Sequence, residues 1–256
     1  MSQKTASKSS TSEAVLWHCA TRNWSPEYFL NSDREAITPP ADCSTSTVLL
    51  KGPANRAIDL PCTGDSYTIG ESVEPDARWP IQLFHRILHF GYEAETPEII
   101  AQTGWTTDEL QQAVENRDLS QRFDLVSLLI GVNNQYQGRC VKEYGEQVER
   151  LIATAVRLSG SREEGVIVLS IPDWGCTPFA EDRDQAKICL EIDEYNREKK
   201  ERCQQAGVTW VDITDLTRRV RDCPELTAED GLHPSKVLYG QWVDRVWPIL
   251  TSRLEA

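Results

Sequence analysis

The stretch Leu125-Val126-Ser127-Leu128-Leu129-Ile130 is apolar on both faces that an extended chain presents, the composition of a strand covered on both sides. It runs into the polar loop Gly131-Val132-Asn133-Asn134 and then into Val141 to Leu158, whose apolar residues recur at helical spacing. Buried strand, polar loop and amphipathic helix, in that order, form the unit of a parallel sheet. Parallel neighbours need a crossover long enough to hold a helix.

Working outward, the unit repeats. Val166 to Ile171 reads as a strand before a helix from about Arg183 to Gln205, and Val208 to Val211 as the last strand before a closing helix from Val237 to Leu254. Upstream, Ile99-Ile100-Ala101 precedes Thr106 and Glu109, a capping-box pair ahead of Leu110, Ala113 and Val114. Trp79, Leu83, Ile87 and Leu88 predict a helix over about Asp76 to His89, with Pro80 in its first turn. The expected architecture is one α/β domain over residues 56–256, a doubly wound parallel sheet of about five strands in three α/β/α layers. Trp79, Trp242 and Trp247 are expected in its core.

Residues 1–55 read as an irregular head. Met1 to Glu13 is mostly Ser, Thr, Lys and Gln, a composition that cannot bury enough apolar surface to order itself. The short apolar pieces that follow are separated by Pro39-Pro40 and Gly52-Pro53. The segment Ala57-Ile58-Asp59-Leu60-Pro61-Cys62-Thr63 is a further irregularity. It stands where the pattern needs a first strand, yet proline removes a ladder hydrogen bond from a central strand. The chain up to about Thr63 therefore reads as a divergent or misread segment.

With 40 acidic against 27 basic residues the formal charge is −13, which repels phosphate backbones and anionic membrane surfaces and argues against a nucleic-acid partner. Apolar runs are only a few residues long, so neither a membrane span nor a signal-peptide core is expected, and the chain as written reads as cytoplasmic. Eight scattered cysteines make no C-x-x-C pair; free thiols are expected, and no metal or cofactor. His85 and His89 are four residues apart, with Arg86 where a zincin carries Glu, and read as a surface or packing pair.

In a sheet of this kind, functional groups gather in the loops beyond the carboxyl ends of the strands. Gly64-Asp65-Ser66, Gly104, Gly131-Val132-Asn133-Asn134, Pro172-Asp173-Trp174-Gly175 and Asp230-Gly231-Leu232-His233 all fall there. A serine hydroxyl becomes a nucleophile only when a histidine takes its proton, and the histidine needs a carboxylate to hold its tautomer. Of the four histidines, His18 lies in the head and His85 and His89 share a helix, which leaves His233 with Asp230 three residues before it. The Asn133 amide, with the backbone N–H groups of Gly104 and Ser66, offers three donors for a developing oxyanion. Beside this reading stand plainer ones. Ser66 is also acceptable as a helix N-cap, Asn133-Asn134 and Asp230-Gly231 as turns, and His233 as decoration of the last helix.

In order and placement these residues resemble the SGNH hydrolases, the GDSL-type lipase and esterase family, from about Thr63 to the C-terminus. Ser66 matches the nucleophile, Gly104 the second-block glycine, Asn133 the oxyanion asparagine, and Asp230 and His233 the D-x-x-H pair. The segments Gly64 to Glu71 (GDSYTIGE), Thr103 to Leu110 (TGWTTDEL), Leu128 to Gln135 (LLIGVNNQ) and Ser170 to Ala180 (SIPDWGCTPFA) resemble a lysophospholipase-like subgroup. The resemblance implies a flavodoxin-like fold and cofactor-free hydrolysis of small-molecule or lipid esters through a Ser66 acyl-enzyme. Asn134 departs from the pattern, standing where many members carry Asp, a change that spares the donor and alters the brace of its loop. Trp105, Trp174 and Phe179 lie in strand-end loops, either lining an acyl pocket or packing. The rival readings are a carbohydrate O-deacetylase or thioesterase on the same site, a flavodoxin-like binding module without chemistry, and a metal hydrolase using His85 and His89.

Overall fold

The structure, a computed structural model, describes residues 57–119 and 122–254. The head assigned to residues 1–55 lies outside them.

In chain order the elements are β1 (Cys62–Gly64), α1 (Ser66–Ile69), α2 (Trp79–His89), β2 (Ile99–Ala101), α3 (Thr107–Glu115), β3 (Val126–Leu129), α4 (Val132–Tyr136), α5 (Val141–Leu158), β4 (Val166–Leu169), α6 (Gln185–Ala206), β5 (Thr209–Val211), α7 (Thr214–Arg218) and α8 (Lys236–Leu254). The strands form one sheet in the order β2-β1-β3-β4-β5, with every pair parallel. Succession runs one way from β1 to β2 and the other way from β3 to β5, so right-handed crossovers send helices to opposite faces. Accordingly α2 packs against α8, while α3, α5 and α6 pack in a row. The reversal leaves a crevice beyond the carboxyl ends of β1 and β3, the place where such sheets bind ligands.

Burial follows the sequence pattern. Every residue of β3 and β4 is buried, and Trp79, Leu83 and Ile87 turn α2 inward. Trp79 and Trp242 are fully buried, while Trp247 is half-buried against Phe90 with ring centroids 4.6 Å apart. The Thr106–Glu109 capping box forms at the start of α3.

The reading of residues 57–63 as divergent from a regular strand holds for 57–61, which lie outside β1 and carry an isolated bridge from Ile58 to Ala94, and is corrected at Cys62 and Thr63, which open β1. Ile58, Leu60 and Cys62 are buried in alternation with the more accessible Ala57 and Asp59, and the segment bonds to both neighbours. Cys62 N donates to Glu98 O at 2.8 Å on one side, and Ser127 N donates to Pro61 O at 3.1 Å on the other. Pro61 is tolerated because it immediately precedes the first laddered residue and contributes its carbonyl, the only ladder group it has. Two element ends also move. Helix α2 begins at Trp79 after a separate 3₁₀ turn at Pro75–Ala77, which puts Pro80 in the first turn. β3 and β4 stop short of Ile130 and Ile171 because α6 takes over their backbone groups: Lys199 Nζ donates to Ile130 O at 2.9 Å, and Asn196 bonds both the N–H and the carbonyl of Ile171.

Candidate active site

Gly64 makes the turn out of β1. A Cβ there would lie 2.3 Å from Leu129 O and 2.2 Å from Thr68 Oγ1, so only glycine lets this turn press against β3. Asp65 follows in extended conformation and caps α1, accepting from Tyr67 N at 3.1 Å. The cap is therefore Asp65, and Ser66 is the first helical residue, 5% exposed. The reading of Ser66 as an N-cap does not hold.

Asp230 and His233 sit in a loop closed on itself. Thr227 bridges Pro234, Ala228 N donates to His233 O at 2.7 Å, and Gly231 takes a left-handed turn at φ +67°. Asp230 Oδ1 accepts the backbone N–H groups of Leu232 (2.9 Å) and His233 (3.0 Å), and its Oδ2 lies 2.6 Å from His233 Nδ1. His233 Nε2 in turn lies 2.9 Å from Ser66 Oγ. With Nδ1 directed at a carboxylate, which favours the proton there, Nε2 is left as the acceptor facing the Ser66 hydroxyl. The Tyr67 ring packs 4.9 Å from the imidazole. Burial alone would raise the Asp230 carboxyl, but hydrogen bonds from His233, from the two backbone N–H groups and from Ser72 outweigh it and hold it at about 2. It stays ionised beside the imidazole at neutral pH.

On the other side of the crevice, Asn133 Nδ2 donates to Trp105 O at 2.9 Å, joining the start of α4 to the loop that holds Gly104. Gly104 is exposed with φ +84°, and the space around its α-carbon is open. That loop is tied to the Ser66 loop as well: Thr103 Oγ1 donates to the Glu71 carboxylate, and Glu71 N donates to Ser66 O at 3.1 Å. The structure thus contacts Ser66, His233 and Asp230 directly, and connects Gly104 and Asn133 to them through Thr103, Glu71 and Trp105. Asn134 shows what its departure from Asp does. Fully buried, it accepts from Thr107 N at 3.1 Å and donates to Thr107 Oγ1 at 2.7 Å, while the Thr107 hydroxyl donates onward to Gln147 Oε1, so the amide completes a chain in which the hydroxyl proton has a place.

Of the aromatic residues, Trp174 is buried, with Nε1 donating to Gln135 Oε1 at 2.7 Å, and Trp105 is half-buried. Phe179, 44% exposed, and Tyr136, 50% exposed, both pack edgewise with Trp174, at ring centroid distances of 6.1 and 5.3 Å. Tyr136 was not singled out from sequence. His85 and His89 are exposed on α2, and no group of three metal-capable side chains occurs among the described residues. The cysteines among those residues are free thiols.

Beneath the site lie two buried charges. Lys199 donates to Ile130 O and, at 2.7 Å, to Leu169 O, tying together the ends of β3 and β4; burial lowers its ammonium to about 8. Asp65 is pushed up to about 7 by burial, against the pull of the Tyr67 N–H and of the Lys199 charge. A lysine in the middle of an otherwise charged helix carries no sequence mark of burial, and neither residue was singled out for it.

A parallel sheet between helical layers, with serine, histidine and aspartate in contact beyond its strand ends, is the framework of an SGNH-type α/β hydrolase. The chain belongs to the GDSL-like lipase/acylhydrolase family, whose profile matches residues 62–240, and it is an ester hydrolase in that general sense. No curated protein sequence matches it. Among solved structures, it is similar to the lipase/acylhydrolase from Enterococcus faecalis, at 24% identity and a TM-score of 0.60 over 77% of this chain and 97% of that one. It is also similar to TesA, at 18% identity and a TM-score of 0.60 over 76% and 98%. Axe2, an acetylxylan esterase from Geobacillus stearothermophilus, aligns at 18% identity with a TM-score of 0.58 over 79% and 96%. At these identities the likeness speaks for the fold. Among the described residues no helix is long and apolar enough to cross a membrane.

Proposed function

We propose that this protein hydrolyses acyl esters by covalent catalysis at Ser66. Ser66 Oγ attacks the ester carbonyl as His233 Nε2 takes its proton. The tetrahedral intermediate collapses as His233 returns that proton to the departing alkoxide, leaving an acyl-Ser66 ester and a free alcohol. Water then attacks the acyl group, again deprotonated by His233, and Ser66 is regenerated as the carboxylic acid leaves. Asp230 holds the imidazole and stabilises its cation. The Ser66 and Gly104 N–H groups and the Asn133 amide stabilise the oxyanion.

The observation that carries this reading is the unbroken contact from Ser66 Oγ to His233 Nε2 and from His233 Nδ1 to Asp230 Oδ2, at 2.9 and 2.6 Å. A binding module has no need of a buried serine aligned on a histidine whose other nitrogen faces a carboxylate. The substrate side is assigned to Trp105, Trp174 and Phe179, with Phe179 presenting the most open face. The lysophospholipase-like assignment rests on the four segments quoted above. A fluorophosphonate probe should label the protein at Ser66, and Ser66→Ala should abolish both labelling and the hydrolysis of nitrophenyl esters of graded chain length. A folded Ser66→Ala variant that still hydrolyses them would overturn the proposal.

A further inference from the structure

The Asp230 carboxylate holds one partner that this reaction scheme does not use. Ser72 Oγ donates to Asp230 Oδ2 at 2.7 Å, on the same oxygen that faces His233 Nδ1. Ser72 lies in the loop that leaves α1, six residues beyond Ser66. Its backbone sits at φ +61°, a left-handed conformation that L side chains rarely adopt. Among the described residues only Ser161 shares that feature without being glycine. Ser161 closes a turn after α5 through its backbone, with its N–H on Val156 O. At Ser72 it is the side chain that reaches across, to a residue 158 positions away in sequence. Backbone held in a sparsely populated region at the edge of a functional site points to a task for the group it presents.

That task follows from the geometry. Asp230 Oδ1 is held by two backbone N–H groups, whereas Oδ2 meets the imidazole and the Ser72 hydroxyl on a side chain 28% exposed; Ser72 itself lines a groove of about 470 Å³ with Glu74, Thr227, Glu229 and Lys236. On a carboxylate this accessible, water is the alternative partner for Oδ2 and would loosen its hold on His233. The Ser72 hydroxyl takes that place and leaves Oδ2 directed at the imidazole. We propose that Ser72 is a positioning residue that fixes the Asp230 carboxylate on His233 and ties the loop after the nucleophile to the loop that carries the base. Resting on the roles given above to Ser66, His233 and Asp230, it adds a fourth side chain that touches no substrate.

Two substitutions separate this role from a structural one. Ser72→Gly removes the hydroxyl and relaxes the backbone, whereas Ser72→Ala removes the hydroxyl and keeps the strain. Both should slow fluorophosphonate labelling of Ser66 about tenfold, a loss of the size expected for one charge-assisted hydrogen bond. Ser72→Gly should nevertheless melt no lower than the wild type. Both should also weaken the downfield proton resonance of the His233 Nδ1–H, a readout independent of any reaction. In an Asp230→Asn background, adding Ser72→Gly should change labelling less than twofold, because the hydroxyl acts through the carboxylate. Wild-type labelling by Ser72→Gly, or an equal tenfold loss in the Asp230→Asn background, overturns the proposal. A wild type that does not label at all counts against the Ser66 reading instead, and the resonance then decides the role of Ser72 alone.

Discussion

Gly64 to Thr68 and Thr227 to Pro234 hold the two ends of the Ser66–His233 contact, and they are held by different forces. The serine side is packed. Asp65 and Thr68 are fully buried, Gly64 presses on the β3 carbonyl of Leu129, and Asp65 Oδ2 and Thr68 Oγ1 find no hydrogen-bond partner among the described residues. The acid side is hydrogen-bonded. The Asp230 side chain is 28% exposed, yet it meets two backbone N–H groups, an imidazole and a hydroxyl. The position of Ser66 is therefore a property of the sheet, set by close approach at the cost of orphaned polar atoms, and the orientation of His233 is a property of one local loop.

The sharpest break of this comparison acts on the acid side and spares the fold. Asp230→Asn keeps the shape of the side chain but disturbs the imidazole tautomer, so kcat should fall by about 10⁴ with little change in KM. Thermal melting should stay near the wild type, and a fall in stability that tracks the lost activity would show that the loop depends on the charge itself.

Glycine substitutions compare the two loops directly. Gly64→Ala drives a methyl into a backbone carbonyl and should cost ~3 kcal/mol, the upper range for overpacking. Gly231→Ala comes no nearer than 3.3 Å to any atom, at Pro178 Cβ, and should cost ~1 kcal/mol, from its positive φ. Urea unfolding of both variants measures the difference, and equal costs would mean that the serine loop is no more tightly packed than the acid loop.

The same comparison extends to pH dependence, where the two loops carry opposite signs. The Asp230 carboxyl lies lower in the fold than in the unfolded chain, so its stabilisation is present above about pH 4 and is lost as pH falls towards 2. Asp65 lies higher in the fold, so it binds a proton there that the unfolded chain has already released, and stability declines as pH rises from about 4 towards 7. Each contributes ~1–2 kcal/mol after allowance for exposure at Asp230 and for the neighbouring Lys199 charge at Asp65. Unfolding measured from pH 2 to 8 should show Asp230→Asn flattening the acid limb and Asp65→Asn flattening the decline above pH 4.

The doubly wound sheet was legible because β3 and β4 are covered on both faces and are written as unbroken apolar runs. β1 was not, since its three residues, Cys62-Thr63-Gly64, carry almost no strand preference and follow a proline. Its place comes from bonds to Glu98 and Ser127, residues 36 and 66 positions away from those they meet. In the site, Ser66, Asp230 and His233 could be read because serine-histidine-carboxylate chemistry restricts the candidates and the chain has few histidines. Ser72 escaped because its role depends on a backbone angle and on a long-range contact, neither of which has a local pattern. Tyr136 and Lys199 escaped for a related reason: one looks like any helical tyrosine, and the other stands among charged neighbours that do face solvent.

Lys199 also makes α6 the gauge of the cleft floor. One ammonium spans the carbonyls of Ile130 and Leu169, so the spacing between the loop that leads to Asn133 and the loop that leads to Trp174 is measured by the reach of a single side chain from a helix on the back of the sheet. Any shift of α6 along its axis passes through that strut to both loops together. The separation of the two loops is thus set by a buried residue that takes no part in the proposed chemistry.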